Sequence, residues 1–182
     1  MIEPSPTAPD VPSHFVLGRA SVHRVGRWGL TKFELIQDGN VLAQMGRTGW
    51  LRIYMGPGQW IAIGDGAQWR VRAIGTRGSM IPVVFDSNRR RIAMAGSNHG
   101  TYGITGRDFA CSLYPAEKPP MGRANGWILR QFDDELATIT RYPLSIDAKV
   151  PVHLGAVFLA FILVRHGLPE DSIPLIPSFR WS

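Results

Sequence analysis

The sequence predicts a mainly β fold, a closed antiparallel barrel of about twelve strands around a central hydrophobic C-terminal helix. Three observations predict it. Short strand-like runs recur from residue 15 to about 149, each split from the next by Asp, Gly, Asn or Pro turn chemistry. No helical crossover separates these runs, so neighbours in sequence are expected to pair as antiparallel hairpins. Finally, residues 152–164 read VHLGAVFLAFILV and hold no polar side chain from Leu154 onward.

The first hairpin runs from residues 32–35 through Gln37-Asp38-Gly39-Asn40 into 41–45, an Asp-Gly pair between two apolar-bearing runs. Residues 50–54 then turn at Gly56-Pro57-Gly58 into 59–63, and Asp65-Gly66 leads into 68–74. In that run Trp69, Val71 and Ala73 share one face while Arg70 and Arg72 share the other, so one face is buried and one solvated. Residues 81–85 turn at Asp86-Ser87-Asn88 into 91–95. Residues 102–104 turn around Gly106-Arg107-Asp108 into 109–113, and 126–130 turn at Asp133-Asp134 into 136–140, with a last strand at 144–146. Hairpin lengths vary with no fixed period, which argues against a propeller or solenoid.

The apolar segment is expected to be a helix over about 151–166, with Pro151 in its first turn and Gly167 at its C-cap. A helix apolar on every side must be buried all round, in protein or in lipid. At ~1.5 Å per residue it spans roughly 22 Å, short of a ~30 Å hydrocarbon core, which favours burial inside the barrel. A twelve-stranded barrel is too wide to be filled by its own side chains, and the helix fills it.

Residues 1–13, with four prolines and no apolar stretch after a basic one, are expected to form a flexible tail rather than a secretory signal. The barrel domain is expected over 14–182. Twenty Gly and fourteen Pro leave little room for a helical bundle. One cysteine, Cys111, excludes an intramolecular disulfide and any multi-thiolate zinc site, and the expected setting is cytoplasmic, peripheral to a membrane. The net charge of +6, from 17 Arg and 3 Lys against 14 carboxylates, favours anionic partners without choosing among them.

The stretches KFELIQDGNVLAQM, IPVVFDSNRRRIAMAG, GWILRQFDDELATIT and VPVHLGAVFLAFILVRHG resemble, in layout, the tubby C-terminal-like superfamily, which includes phospholipid-scramblase-like and LURP-one-related proteins. With their neighbours they cover about residues 14–168. The resemblance implies a twelve-stranded barrel around a hydrophobic helix. It also implies a function at membranes, since animal tubby domains bind phosphoinositides and scramblase-like members associate with bilayers. No residue cluster matches the tubby phosphoinositide motif, and no functional residues are carried over.

The candidate lipid- or anion-binding residues are Arg89, Arg90 and Arg91, three guanidiniums at a hairpin tip suited to gripping phosphate, with Arg70 and Arg72 extending a basic face and Arg47 and Arg52 as further members. Phe179, Arg180 and Trp181, in a Pro-spaced tail after the helix, form a candidate contact for a membrane or a protein partner. The six Trp read as barrel packing rather than base-stacking platforms, and no specific nucleic-acid binding is expected. None of the five His lies near another His or Cys111 in sequence, so no metal site is expected. Cys111 reads as a small core residue rather than half of a thiol dyad with His99, and Asp133-Asp134-Glu135 reads as a turn rather than a cation site. No phosphate-binding loop, dinucleotide fingerprint or nucleophile elbow is present, so no cofactor and no enzymatic activity are expected. The leading reading is a non-enzymatic binding protein at an anionic membrane surface; the other is a scaffold that engages a protein partner through its C-terminal tail.

Overall fold

A computed structural model describes residues 14–25, 32–47, 59–76, 79–98, 101–117 and 124–166. Among them the fold is mainly β, one antiparallel sheet with a single C-terminal helix. The strands are β1 (Phe15–Val25), β2 (Lys32–Gln37), β3 (Asn40–Arg47), β4 (Gln59–Ile63), β5 (Gln68–Thr76) and β6 (Ser79–Phe85), followed by β7 (Arg91–Asn98), β8 (Thr101–Gly106), β9 (Ala110–Pro115), β10 (Gly126–Gln131), β11 (Asp134–Thr140) and β12 (Ser145–His153). Each pairs with its neighbours in sequence, and β1 pairs with β12, so the ladder returns on itself as a closed barrel without a free edge. The helix α1 (Leu154–His166) follows β12 without an intervening loop.

Inside, every strand sends apolar side chains into one cluster with the helix, from Val16 and Ala20 of β1 round to Ile146, Ala148 and Val152 of β12. From Leu154 to Phe161 the helix is buried on all sides, as are Leu163 and Val164. Alanines at 20, 43, 93, 95, 137 and 148 leave the interior room for it. At Gly155 a Cβ would stand 3.3 Å from the Ala93 Cβ and 3.2 Å from Ile92 Cγ2, so the first turn of α1 is pressed onto β7. No helix among the described residues is long and apolar enough to cross a membrane.

The helix begins later than the sequence suggests. Pro151 belongs to β12, not to the first helical turn. It lies opposite a register shift between Val16 and Gly18 of β1, where the ladder does not need the N–H that proline lacks. The strand therefore continues to His153, whose Nδ1 accepts the Gly155 N–H at 3.0 Å, while the Leu154 N–H donates to the His14 carbonyl at 2.7 Å. Those two bonds serve as the helix cap.

In this meander alternate connections share one rim. The turns at 38–39, 64–67, 86–90, 107–109 and 132–133 stand together with the β12–α1 junction, where the chain dives inward. Turn residues supply the left-handed conformations the hairpins need: Asp38 and Gly39 have φ of 50° and 79°, and Gly66 has φ of 88°. The expected strand at 50–54, the Pro-rich segment 1–13 and Gly167 lie outside the described residues.

Candidate anion-binding face

The outer faces of β5 to β8 build the most distinctive surface. Alternation puts Trp69 and Val71 in the core and leaves Arg70, Arg72 and Ile74 outside. Register then sets Arg70 opposite Phe85, Arg72 opposite Val83, and Ile74 opposite Ile81, so these side chains share the outer face, where Val83 is only 4% exposed. One strand further, Val83 pairs with Met94 and Phe85 with Arg91. The result is a groove of about 610 Å3 lined by Ile74, Ile81, Val83, Phe85 and Met94, with Arg91 and Arg107 at one end. Ile74, 50% exposed, is the most exposed large aliphatic side chain among the described residues.

Arg91 reaches this face because of a bulge. Strict alternation with the buried Ala93 and Ala95 would turn Arg91 inward. Instead the register slips between Val84 and Phe85, Ile92 becomes the extra residue packed against the core, and Arg91 is re-aimed outward. Its Nη1 lies 3.3 Å from Met94 Sδ. The 86–90 turn that precedes it is tied by Asp86, whose Oδ1 accepts the Arg90 N–H at 2.7 Å, and Arg89 takes φ of 63°.

The five arginines singled out in the sequence therefore divide. Arg70, Arg72 and Arg91 share the outer wall. Arg90 is exposed at the rim and lines a second cavity, and Arg89 is exposed at the turn without lining either. Arg107, not anticipated, joins Arg91 because the β8–β9 turn is the next hairpin along the same rim. The available signal was the meander itself, which puts every second turn at one end. No carboxylate is among the described residues that line the groove. His14 Nε2 lies 2.8 Å from Asp65 Oδ2 and Lys149 Nζ lies 2.9 Å from Glu135 Oε1, and neither contact engages these arginines. Arg47 ends β3, while Arg52, Phe179, Arg180 and Trp181 lie outside the described residues.

The second cavity, of about 570 Å3, opens at the rim beside the start of α1. Arg90, Arg91 and Arg107 form its lip, and Phe109, Leu136, Cys111 and Ala156 line it deeper down. Phe109 lies flat over Gly106, where any Cβ would collide with the ring. His153 stands in an aromatic nest, stacked on Trp69 at 5.7 Å between centroids and on Phe109 at 4.8 Å, with Phe15 edge-on at 5.4 Å. Burial, and then the neighbouring His14, push its imidazole down to about 4, against a smaller opposing pull from Asp108. With Nδ1 accepting from Gly155, the neutral ring carries its hydrogen on Nε2 and offers a donor there.

Burial pushes the Cys111 thiol up to about 12, which leaves it an uncharged, weakly nucleophilic core residue. Of the expected turn, Asp133 alone lies in it; Asp134, exposed, and Glu135 open β11, and Glu135 pairs with Lys149. Trp69 is core, and Trp127 packs on Tyr102 with its Nε1 donating to the Ala124 carbonyl at 3.3 Å. The structure brings His14 and His153 to 6.5 Å between ring centroids, but no group of three metal-ligating side chains assembles among the described residues. Compared with protein-family models, curated proteins and solved structures, the chain gives no significant match.

Proposed function

We propose that this chain is a non-enzymatic binding protein that docks on anionic lipid surfaces through the outer wall of β5 to β8. The observation that carries this reading is an apolar groove flanked by Arg70, Arg72, Arg91 and Arg107, with no carboxylate among the described residues that line it. Guanidiniums fork onto phosphate and carboxylate groups, and apolar side chains between them sit at the level of the acyl boundary. The layout of a meander barrel around an apolar helix supports placing the chain beside the tubby-like and scramblase-like proteins, whose membrane association points the same way. A peripheral cytoplasmic location follows from that reading.

The test is co-sedimentation with phosphatidylcholine vesicles, with and without phosphatidylserine, at low and at physiological salt. Each arginine near an anionic surface contributes about 1 kcal/mol, so replacing Arg72, Arg91 and Arg107 together by alanine should weaken binding by roughly two orders of magnitude. Binding should also fall as salt rises. Protein that stays in the supernatant with anionic vesicles at low salt would end the proposal.

A further inference from the structure

The cavity at the rim is a different kind of place from the wall. It passes from an exposed lip into the barrel interior, where its lining includes Cys111 and Ala156, which are 7% and 1% exposed. It exists because the first turn of α1 presses its Gly155 onto Ile92 and Ala93 of β7, while small side chains, Ala156 and Cys111, face the cavity. Its volume of about 570 Å3 falls within the ~300–1,000 Å3 usual for small-molecule sites.

Its polar groups are mostly donors. Arg90 and Arg107 at the lip take no part in the His14–Asp65 or Lys149–Glu135 contacts, and His153 offers an N–H from its remaining ring nitrogen. Two carboxylates also line the cavity. Asp86 has one oxygen accepting the Arg90 N–H within its own turn, and Asp108 stands exposed in the next turn. Deeper in, the lining turns apolar at Phe109, Leu136, Val152 and Ala156. Charge at the lip and apolar surface below are the complement of a molecule with one anionic end.

We propose that this mouth is a second binding site, for an organic monocarboxylate with an apolar body. The carboxylate rests on the guanidiniums of Arg90 and Arg107, whose planar forks match it. The body lies against Phe109, Leu136 and Ala156. Arg107 lines both the groove and the mouth, whereas Arg90 lines only the mouth, so Arg90 is the residue that separates this site from the wall.

The experiment is calorimetric titration of the full chain with octanoate and, separately, with 1-octanol, which keeps the chain length and lacks the charge. Octanoate should bind, and octanol at least about tenfold more weakly, the usual worth of a hydrogen bond to a charged group. Arg90→Gln should lose about the same factor. Arg72→Ala, which alters only the wall, should bind octanoate as the wild type does. Cys111→Leu fills the cavity and should abolish binding; circular dichroism checks that it folds, and if it does not, Arg90→Gln decides alone. Absence of octanoate binding, equal binding of octanol, or an unaffected Arg90→Gln would overturn the proposal. An Arg72→Ala loss equal to that of Arg90→Gln would overturn it too, by placing octanoate on the wall.

Discussion

Two outer walls of the same barrel are built differently. On the wall of β11, β12 and β1, Thr138 sits opposite Asp147, which sits opposite Arg19, and Thr140 faces Ser145, which faces Ser21. Charges of both signs meet in these rows and hydroxyls fill the gaps; the exposed apolar side chains of this wall, Val25 at the end of β1 and Val150 in β12, stand apart from them. On the wall of β5 to β8, the equivalent rows read Arg70, Phe85, Arg91, then Arg72, Val83, Met94, then Ile74, Ile81. Both walls back onto one apolar interior, so the core does not require this difference. A soluble surface needs mixed charges and small apolar patches, and the first wall meets that need. The second departs from it in charge and in apolarity at once, which is the pattern of a surface made to be covered.

The contrast can be broken or sharpened by substitution. Phe161→Ala removes a ring that is 1% exposed in the shared interior and should cost about 3–5 kcal/mol in urea unfolding. A cost near that of a surface substitution would mean that the helix is not the common core of both walls.

The rim supplies a pH test. The folded state holds His153 near 4 against an ordinary 6.5, so unfolding takes up a proton between those values. Stability from this group is present above about pH 6.5 and is lost as pH falls toward 4, by at most about 2 kcal/mol for a half-buried ring screened by solvent. His153→Asn keeps an acceptor for the Gly155 N–H and should flatten the change in urea midpoint between pH 7 and pH 5. An unchanged slope would assign the acid sensitivity to other groups.

Phe132, at φ of 54° and 93% exposed, pays for a left-handed conformation without burying its ring. Phe132→Gly should raise stability by about 1 kcal/mol in the same assay. Ile74→Ser, on the wall, should change stability by no more than about 0.5 kcal/mol while weakening sedimentation with anionic vesicles. If it destabilises instead, Ile74 belongs to the core and the groove is not a free surface.

Much of the architecture was legible in the chain because hairpins are local. Asp38-Gly39, Asp65-Gly66 and the turn at 86–90 announce themselves by chemistry that acts over four residues. That the helix is hidden from water was legible from composition, since a segment without a polar face has no side to present to it; that the barrel rather than lipid hides it is seen only in the structure. What escaped depends on register. β1, the longest strand, has its alternation broken by Gly18 at φ of 81°, and β12 runs through a proline that reads as a helix start until the bulge that contains it is known. In the site, Arg70 and Arg72 could be assigned to a shared face from period two alone. Arg91 could not, because its direction is set by Ile92 at a bulge, and Arg107 is brought in only by the neighbouring hairpin.

The most direct measurement is a charge reversal placed on each wall in turn, Arg72→Glu and Arg19→Glu, followed by sedimentation with phosphatidylserine vesicles at low salt. The two variants have the same net charge and differ only in where the change lies. The β5 to β8 wall as the docking surface predicts that Arg72→Glu leaves the protein in the supernatant while Arg19→Glu still sediments. Equal losses in both variants would mean that overall charge, and not this wall, draws the protein to anionic lipid.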